Sequence, residues 1–383
     1  MSIVYRATGV FMSCIVAIAA IQLAAFPALA ADGLEFTASQ LIWNPEDRTE
    51  TKTGALTWEG GIEISSPDAE FGGWSGLAIS PDGSALLAVS DEGRWLTAIL
   101  LYDERGRLSG LAEARISPML GLDGQPISGK SLGDAESLVI DSGSAETLIG
   151  NAYVGFERAH RIWRYDLEKS GAGAKPEQLL TQRHFGRLNL NAGIESLELL
   201  PPSNESDEPR LLAITEETLD PRGNIKAFIA DGHDISWFAI EPREPYKPTD
   251  VARLPNGDIL LLERRFSMLA GVGMQLRRIA ADDIKPDAIV DGEVLVDVGQ
   301  RYSIDNMEGL AVREDENGDL LVYMISDNNF NALQRTLLLM FRLPGDDTKP
   351  ALPGRSSTLP QIPEAGAPFG EADKLEEVGQ EPS

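Results

Sequence analysis

Short apolar runs separated by polar turns follow one another along most of this chain, and one arrangement of them recurs five times. Each copy couples the start of an apolar strand to a second strand ending in polar or acidic residues. The copies are Ser75-Gly-Leu-Ala-Ile with Val89-Ser-Asp91, Glu136-Ser-Leu-Val-Ile with Ile149-Gly-Asn151, Glu195-Ser-Leu-Glu-Leu with Ile214-Thr-Glu216, Thr249-Asp-Val-Ala-Arg with Leu262-Glu263, and Glu308-Gly-Leu-Ala-Val with Ile325-Ser-Asp327. Anchored on Leu77, Leu138, Leu197, Val251 and Leu310, the copies step by 61, 59, 54 and 59 residues. Four strand-sized pieces per unit at such a period predict an all-β β-propeller, because each small sheet can bury its faces only against its neighbours.

In the first copy the predicted strands are Gly76 to Ser80, Ala85 to Ser90, Thr97 to Tyr102 and Leu111 to Ile116, with Pro81-Asp82-Gly83 as the first tight turn. Later copies repeat the layout, with strands at Thr147 to Ala152 and Arg161 to Asp166, then at Arg210 to Thr215, Lys226 to Ala230 and Ile235 to Ile240. No stretch after the first thirty residues keeps a helical period over a helix length. Five four-stranded blades are expected. The last copy lacks a strand after Thr336 to Leu343, and Gly54 to Ile64 from the amino-terminal region could supply it and close the ring. Six blades are the alternative, because Leu34 to Trp43 is a further strand candidate.

The ends of the chain read differently. Arg6, an apolar run from Val10 to Ala25, and Ala28-Leu29-Ala30 form a secretory leader over residues 1–30, which implies a periplasmic or secreted protein with no membrane insertion after cleavage. The sole cysteine, Cys14, lies within that leader, so disulfides and thiolate chemistry are excluded from the mature chain. From residue 345 to 383 Pro, Gly, Ser and Glu dominate, and a disordered tail is expected after a domain spanning 31–344. The net charge of −27 becomes −28 without Arg6, a balance that repels nucleic acid and anionic membranes. A monomer is expected.

In a propeller the first strand of each blade lines the channel and the second returns to the same face, so both polar ends of the repeated phrase converge at one mouth. The first position holds Glu136, Glu195 and Glu308, with Ser75 and Thr249 in the other two copies. At or next to the second stand Asp91, Asn151, Glu216, Glu263 and Asp327, although a one-residue offset would turn Asn151, Glu263 or Asp250 to the other face. Converging carboxylates raise one another's pKa, and a hard cation resolves the conflict. Calcium fits an all-oxygen set, whereas His160, His184 and His233 lack the spacing of a zinc motif. The metal candidates are therefore Glu136, Glu195 and Glu308 with Asp91 or Asp327; strand-end capping without a metal is the alternative.

Arginines follow the second-strand ends: Arg94, Arg158, Arg264 and Arg335. A cation bordered by guanidinium groups suits a small anionic substrate, above all a phosphoester; salt bridges among rim loops are the plainer reading. Ser75-Gly-Leu with Ser90-Asp91, Asp134-Ala-Glu136-Ser-Leu, Gly193-Ile-Glu195-Ser-Leu, Asn306-Met-Glu308-Gly-Leu and Ser326-Asp-Asn-Asn-Phe330 with Gln334-Arg-Thr336 resemble the exported bacterial phytase-like proteins, described as having esterase-like activity. That resemblance implies a propeller and suggests hydrolysis of phosphoesters or esters. The Asp-Asp-Pro-Ala run of alkaline propeller phytases is missing.

The expectation is thus a calcium-dependent phosphoester hydrolase, with the four arginines stabilising phosphoryl charge and no protein nucleophile. His184 is a candidate acid or base, or simply a half-buried strand residue. The alternatives are a calcium-dependent lactonase or carboxylic esterase, and a non-catalytic propeller that binds a ligand or partner.

Overall fold

The computed structural model describes residues 33–345, apart from 128, 142–147, 191 and 204–207. The expected leader and tail lie outside the described residues.

The middle positions of the second strands are apolar because both of their faces are covered. Leu86 and Ala88 point into one core while Leu87 and Val89 point into the next; Leu260 and Leu262 alternate in the same way with Ile259 and Leu261. This is the period of two that a strand imposes, read on both sides of a sheet.

Twenty of the described strands pair into five antiparallel sets of four. The first set is Trp74–Ile79, Ala85–Ser90, Arg94–Tyr102 and Leu108–Pro118, and the second is Ala135–Asp141, Asn151–Phe156, Arg161–Asp166 and Pro176–Thr181. The third holds Ile194–Leu200, Arg210–Leu219, Ile225–Asp231 and Asp234–Ile240; the fourth holds Lys247–Arg253, Ile259–Ser267, Gly271–Ile279 and Glu293–Gly299. In the fifth, Asn306–Glu314, Leu320–Asp327 and Thr336–Leu343 are joined by Leu56–Ser65 from the amino-terminal region. Five apolar cores lie between successive sheets, including one that packs Leu77 and Leu86 of the first against Tyr323 and Leu338 of the fifth. The ring is therefore closed by packing, and the fold is an all-β propeller.

Amino-terminal residues wrap the outside of that closure. Thr37–Gln40 adds to the outer edge of Leu56–Ser65 and founds no sheet of its own. Trp43 stacks on Trp58 and Tyr302 and meets Phe341 edge-on, and its Nε1 donates to Thr53 Oγ1 at 2.9 Å. Two departures from the sequence reading stand out. The second strand of the second sheet is Asn151–Phe156, not Thr147 to Ala152, and the stretch 280–292 lends Ile289–Val290 to the edge of the third sheet before the fourth sheet is completed.

Candidate functional site: an acidic ring at the channel mouth

Each sheet carries a bulge at the same place in its first strand. The register between first and second strands slips once in every set, between Trp74 and Gly76, Ala135 and Ser137, Ile194 and Ser196, Pro248 and Asp250, and Met307 and Gly309. The extra residues are Ser75, Glu136, Glu195, Thr249 and Glu308. A bulge re-aims its unpaired residue out of the alternation of the strand, which is how a polar side chain leaves an otherwise apolar strand at the mouth.

The same register names the residues where the second strands leave the mouth. Ser90 pairs with Trp74, Phe156 with Ala135, Thr215 with Ile194, Glu263 with Pro248 and Ser326 with Met307. The residue following each is Asp91, Glu157, Glu216, Arg264 and Asp327. Seven carboxylates and one guanidinium thus occupy eight of these ten positions, and Ser75 and Thr249 the other two. Asp91, Glu157, Glu195, Glu308 and Asp327 are buried and Glu136 is half-buried. Asp134, buried beside Glu136, adds an eighth carboxylate; one oxygen from each of Asp134, Glu136 and Glu157 lies within 4.8 Å of the others, and this cluster could hold a metal ion.

Few cations balance these charges. Arg264 Nε lies 2.9 Å from Glu308 Oε1, and its other end lies 3.6 Å from Glu216 Oε1. Arg158 Nε donates to Asp134 Oδ2 at 2.6 Å, and Lys130 pairs with Asp91. Gly193 N donates to Glu157 Oε1 at 2.8 Å, and Asn306 Nδ2 to Glu308 Oε1 at 2.7 Å. The other buried oxygen of Asp91, Oδ1, has no hydrogen-bond partner.

The protonation equilibria follow from this imbalance. Burial, then the charges of Asp134, Asp91 and Glu157, pushes Glu136 well above the usual carboxylate range. Burial and Glu136 do the same to Glu195. Burial raises Glu308, Glu157 and Glu216 against the pull of Arg264, the Gly193 amide and Arg264 respectively, and lifts Asp327 to about 7. Arg264 is raised in return, chiefly by Glu308. Adding positive charge to the ring would favour the ionised forms of all these groups.

A family model described as "Phytase-like: Esterase-like activity of phytase" matches residues 69–330. The chain belongs to the phytase-like family. The match covers every bulge and every strand exit of the ring. No curated protein matches the chain. Similar solved structures include the α-L-arabinofuranosidase from Podospora anserina in complex with cellotriose (8% identity over 82% of this chain and 98% of that one, TM-score 0.45) and a glucose dehydrogenase (12%, 74% and 98%, 0.37). A third is the phage phi92 endosialidase (10%, 85% and 61%, 0.37). At these scores the likenesses carry no argument about chemistry.

In this phytase-like chain the residues expected from sequence are distributed unevenly. Asp91, Glu136, Glu195, Glu308 and Asp327 stand at ring positions, and so does Glu216. Asn151 does not: it pairs with Asp141 and Asp166 at the opposite end of its sheet, and Glu157 takes the mouth position, because the second strand starts later than its composition implies. Glu263 is turned away from the channel, sharing the parity of Ile259 and Leu261, and its two oxygens accept from Arg277 Nε and Nη2 at 2.7 Å in a fully buried pair. Asp250 is buried and accepts from Leu310 N at 2.7 Å, tying the fourth sheet's first strand to the fifth's.

Of the arginines, Arg264 enters the ring and Arg158 borders it through Asp134. Arg94 pairs with Glu70, and Arg335 lies by Asp305 and Glu63 toward the outer strand of the fifth sheet. His184 caps a one-turn helix, Gln182–Phe185, where its Nδ1 accepts from Thr181 N at 3.0 Å, and its ring stacks on His233 at 4.8 Å. That places it at the outer edge of the second and third sheets. The histidine near the ring is His160, buried against Gly193, with Nε2 2.9 Å from Asn189 O. Its helix-free Glu-Arg-Ala-His context offered no sign of that position.

Proposed function

We propose that this chain is an exported, calcium-dependent hydrolase of small anionic phosphoesters, acting at the acidic mouth as a monomer. The observation that carries the reading is the set of bulged and strand-exit carboxylates, gathered by the repeat and left short of positive charge. The ring fits the cation. All of its donors are oxygens, the Asp134, Glu136 and Glu157 oxygens lie within 4.8 Å of one another, and Asp91 Oδ1 is buried without a partner. Oxygens at that spacing can share an ion whose ligand distances are about 2.3–2.6 Å.

Asp134, Glu136 and Glu157 would hold the ion, with Glu195 beside them and Asp91, Glu308 and Asp327 completing the charge of the ring. Bound there, calcium would supply a Lewis acid for a phosphoryl oxygen. Arg264 would give the anionic substrate a fixed guanidinium, held in place by Glu308 and Glu216, and its charge is preorganised before substrate enters. Arg158 and Lys130, each tethered to a ring carboxylate and each with a side chain about two-fifths exposed, are free to turn a remaining N–H toward an incoming anion. A second reading, hydrolysis of carboxylic esters or lactones, is favoured by the family's esterase-like description and by the single arginine within the ring.

Turnover of nitrophenyl phosphate, nitrophenyl acetate and a lactone, each with calcium and with chelator, tests this. Calcium-dependent cleavage of the phosphate is expected; cleavage of the acetate or lactone alone moves the second reading to first place, and phosphate cleavage that survives chelation overturns the proposal. Export rests on the leader at residues 1–30, and amino-terminal sequencing of the mature protein checks it. Among the described residues no helix is long and apolar enough to cross a membrane.

A further inference from the structure

The loop that leaves the ring at Asp327 holds an aromatic side chain in an unfavourable backbone conformation. Asn329 and Phe330 both have positive φ, 47° and 51°. For a bulky residue such as phenylalanine this region is a true outlier, and strain of this kind persists only where surrounding contacts enforce it. Here they do: Asp327 Oδ1 accepts from Asn329 N at 2.6 Å, Asn328 Oδ1 accepts from Phe330 N at 3.0 Å, and Asn328 O accepts from Asn331 N at 2.7 Å.

The ring of Phe330 lies over Gly72 and Gly73. A Cβ on Gly72 would stand 3.0 Å from Phe330 Cδ1, and one on Gly73 would stand 2.8 Å from Phe330 Cε2 and 2.0 Å from Asp91 Oδ1. The edge of the Phe330 ring and the unpartnered oxygen of Asp91 therefore meet at the space where a side chain on Gly73 would stand. Yet Phe330 keeps 43% of its surface exposed. A strained aromatic that packs beside the acidic ring without being buried is not explained by stability.

The apolar character continues around the same mouth. The second strand of the fourth sheet runs on past Arg264 to Ser267, and its hairpin carries Phe266, Met268 and Leu269 at 68%, 96% and 101% exposure; Leu333, in the loop of Phe330, is 91% exposed. Large apolar side chains are seldom left fully exposed together without a ligand or partner to cover them.

We propose that Phe330 is a specificity-determining residue of this mouth, and that the substrate carries an aryl group next to its anionic ester. The inference rests on the mouth being the substrate site and names the class of ester it takes. The acidic ring with its cation would bind the anionic part, Phe330 would stack on the aryl part, and the apolar hairpin would shield that part from water. A fully polar polyphosphate would leave both apolar surfaces wet.

Titration calorimetry with calcium present, using phenylphosphonate and methylphosphonate, tests the inference without turnover. Stacking of one aromatic pair predicts that phenylphosphonate binds about 2- to 10-fold more tightly. Phe330→Asn, whose residue tolerates positive φ, should erase that preference, and Phe330→Tyr should keep it; a calcium-dependent melting shift in both variants shows that the ring is intact. Equal affinity of the two phosphonates, or a preference that survives Phe330→Asn, overturns the inference and leaves the proposed site standing. If neither phosphonate binds and no ester is turned over, the proposed site fails, and the inference falls with it.

Discussion

Replacing Asp327 by asparagine isolates one charge of the ring with almost no change in shape. Burial is the main cause that lifts this carboxyl from the usual 3.8 to about 7, Glu308 adds to it, and the hydrogen bond from Asn329 N opposes it. The unfolded chain ionises near pH 4, while the cation-free folded chain keeps its proton until near pH 7. The contribution is therefore fully present below about pH 4, is lost as the pH rises to about 7, and is level above that. Three units at 1.36 kcal/mol each amount to about 4 kcal/mol, and Asp327 is only 4% exposed, so water screens little of it. Asparagine cannot ionise, and its Oδ1 can still accept from Asn329 N. In chelator, Asp327→Asn should be more stable than the parent by about 4 kcal/mol at pH 8, roughly 6 °C in Tm for a domain of this size, and nearly equal at pH 4. Thermal melts from pH 4 to 8 measure it. Calcium should raise the parent's melt at pH 8 more than the variant's. Superposable pH profiles of the two proteins in chelator would refute the electrostatic account of the mouth.

Arg264→Met leaves Glu308 and Glu216 without their cation and should lower cation-free stability at pH 8 by about 2 kcal/mol in urea unfolding, while kcat/KM for the preferred ester falls about 100-fold or more. Gly73→Ala combines φ +68° with a Cβ 2.0 Å from Asp91 Oδ1, whereas Gly106→Ala has a similar φ, +74°, and open space. Gly106→Ala should cost about 1–2 kcal/mol from backbone strain, and Gly73→Ala should cost more and weaken calcium binding; equal losses in urea unfolding would show that Gly73 is not confined by Asp91. His184→Ala removes a helix cap far from the ring, so it should cost about 1 kcal/mol and leave kcat/KM as it was. A large kinetic loss would return His184 to the mechanism.

The repeat carried much of this site in plain view. Glu136, Glu195 and Glu308 each stand two residues before a leucine, with a serine or glycine between, and that regularity is the bulge position written in sequence. Asp91, Glu216 and Asp327 were legible for the same reason, since in each second strand an apolar run is followed by a serine or threonine and then an acid. The second sheet hid Glu157 because its second strand, Asn151–Phe156, starts several residues later than the apolar residues before it imply. In the fourth sheet the parity of one residue decides between burial and the channel, and what settles Glu263 is Arg277, a partner on the next strand. Cross-strand ion pairs of that kind have no local signature. The arginine regularity misled for a related reason: Arg94 and Arg335 follow strand ends as Arg264 does, but Glu70 and Glu63 hold them on the outer side. Charge recurs in the sequence, whereas the direction in which a side chain leaves its loop is set by partners distant along the chain.

The central claim is that the ring's carboxylates share a cation. Calcium titration at pH 6 in two buffers of different ionisation enthalpy tests it most directly, because carboxyl groups raised by burial and by one another must release protons as the ion enters. The account predicts saturable binding with net proton release, and loss of both in Glu136→Gln. Absence of binding, or binding without proton release that Glu136→Gln leaves untouched, would contradict it.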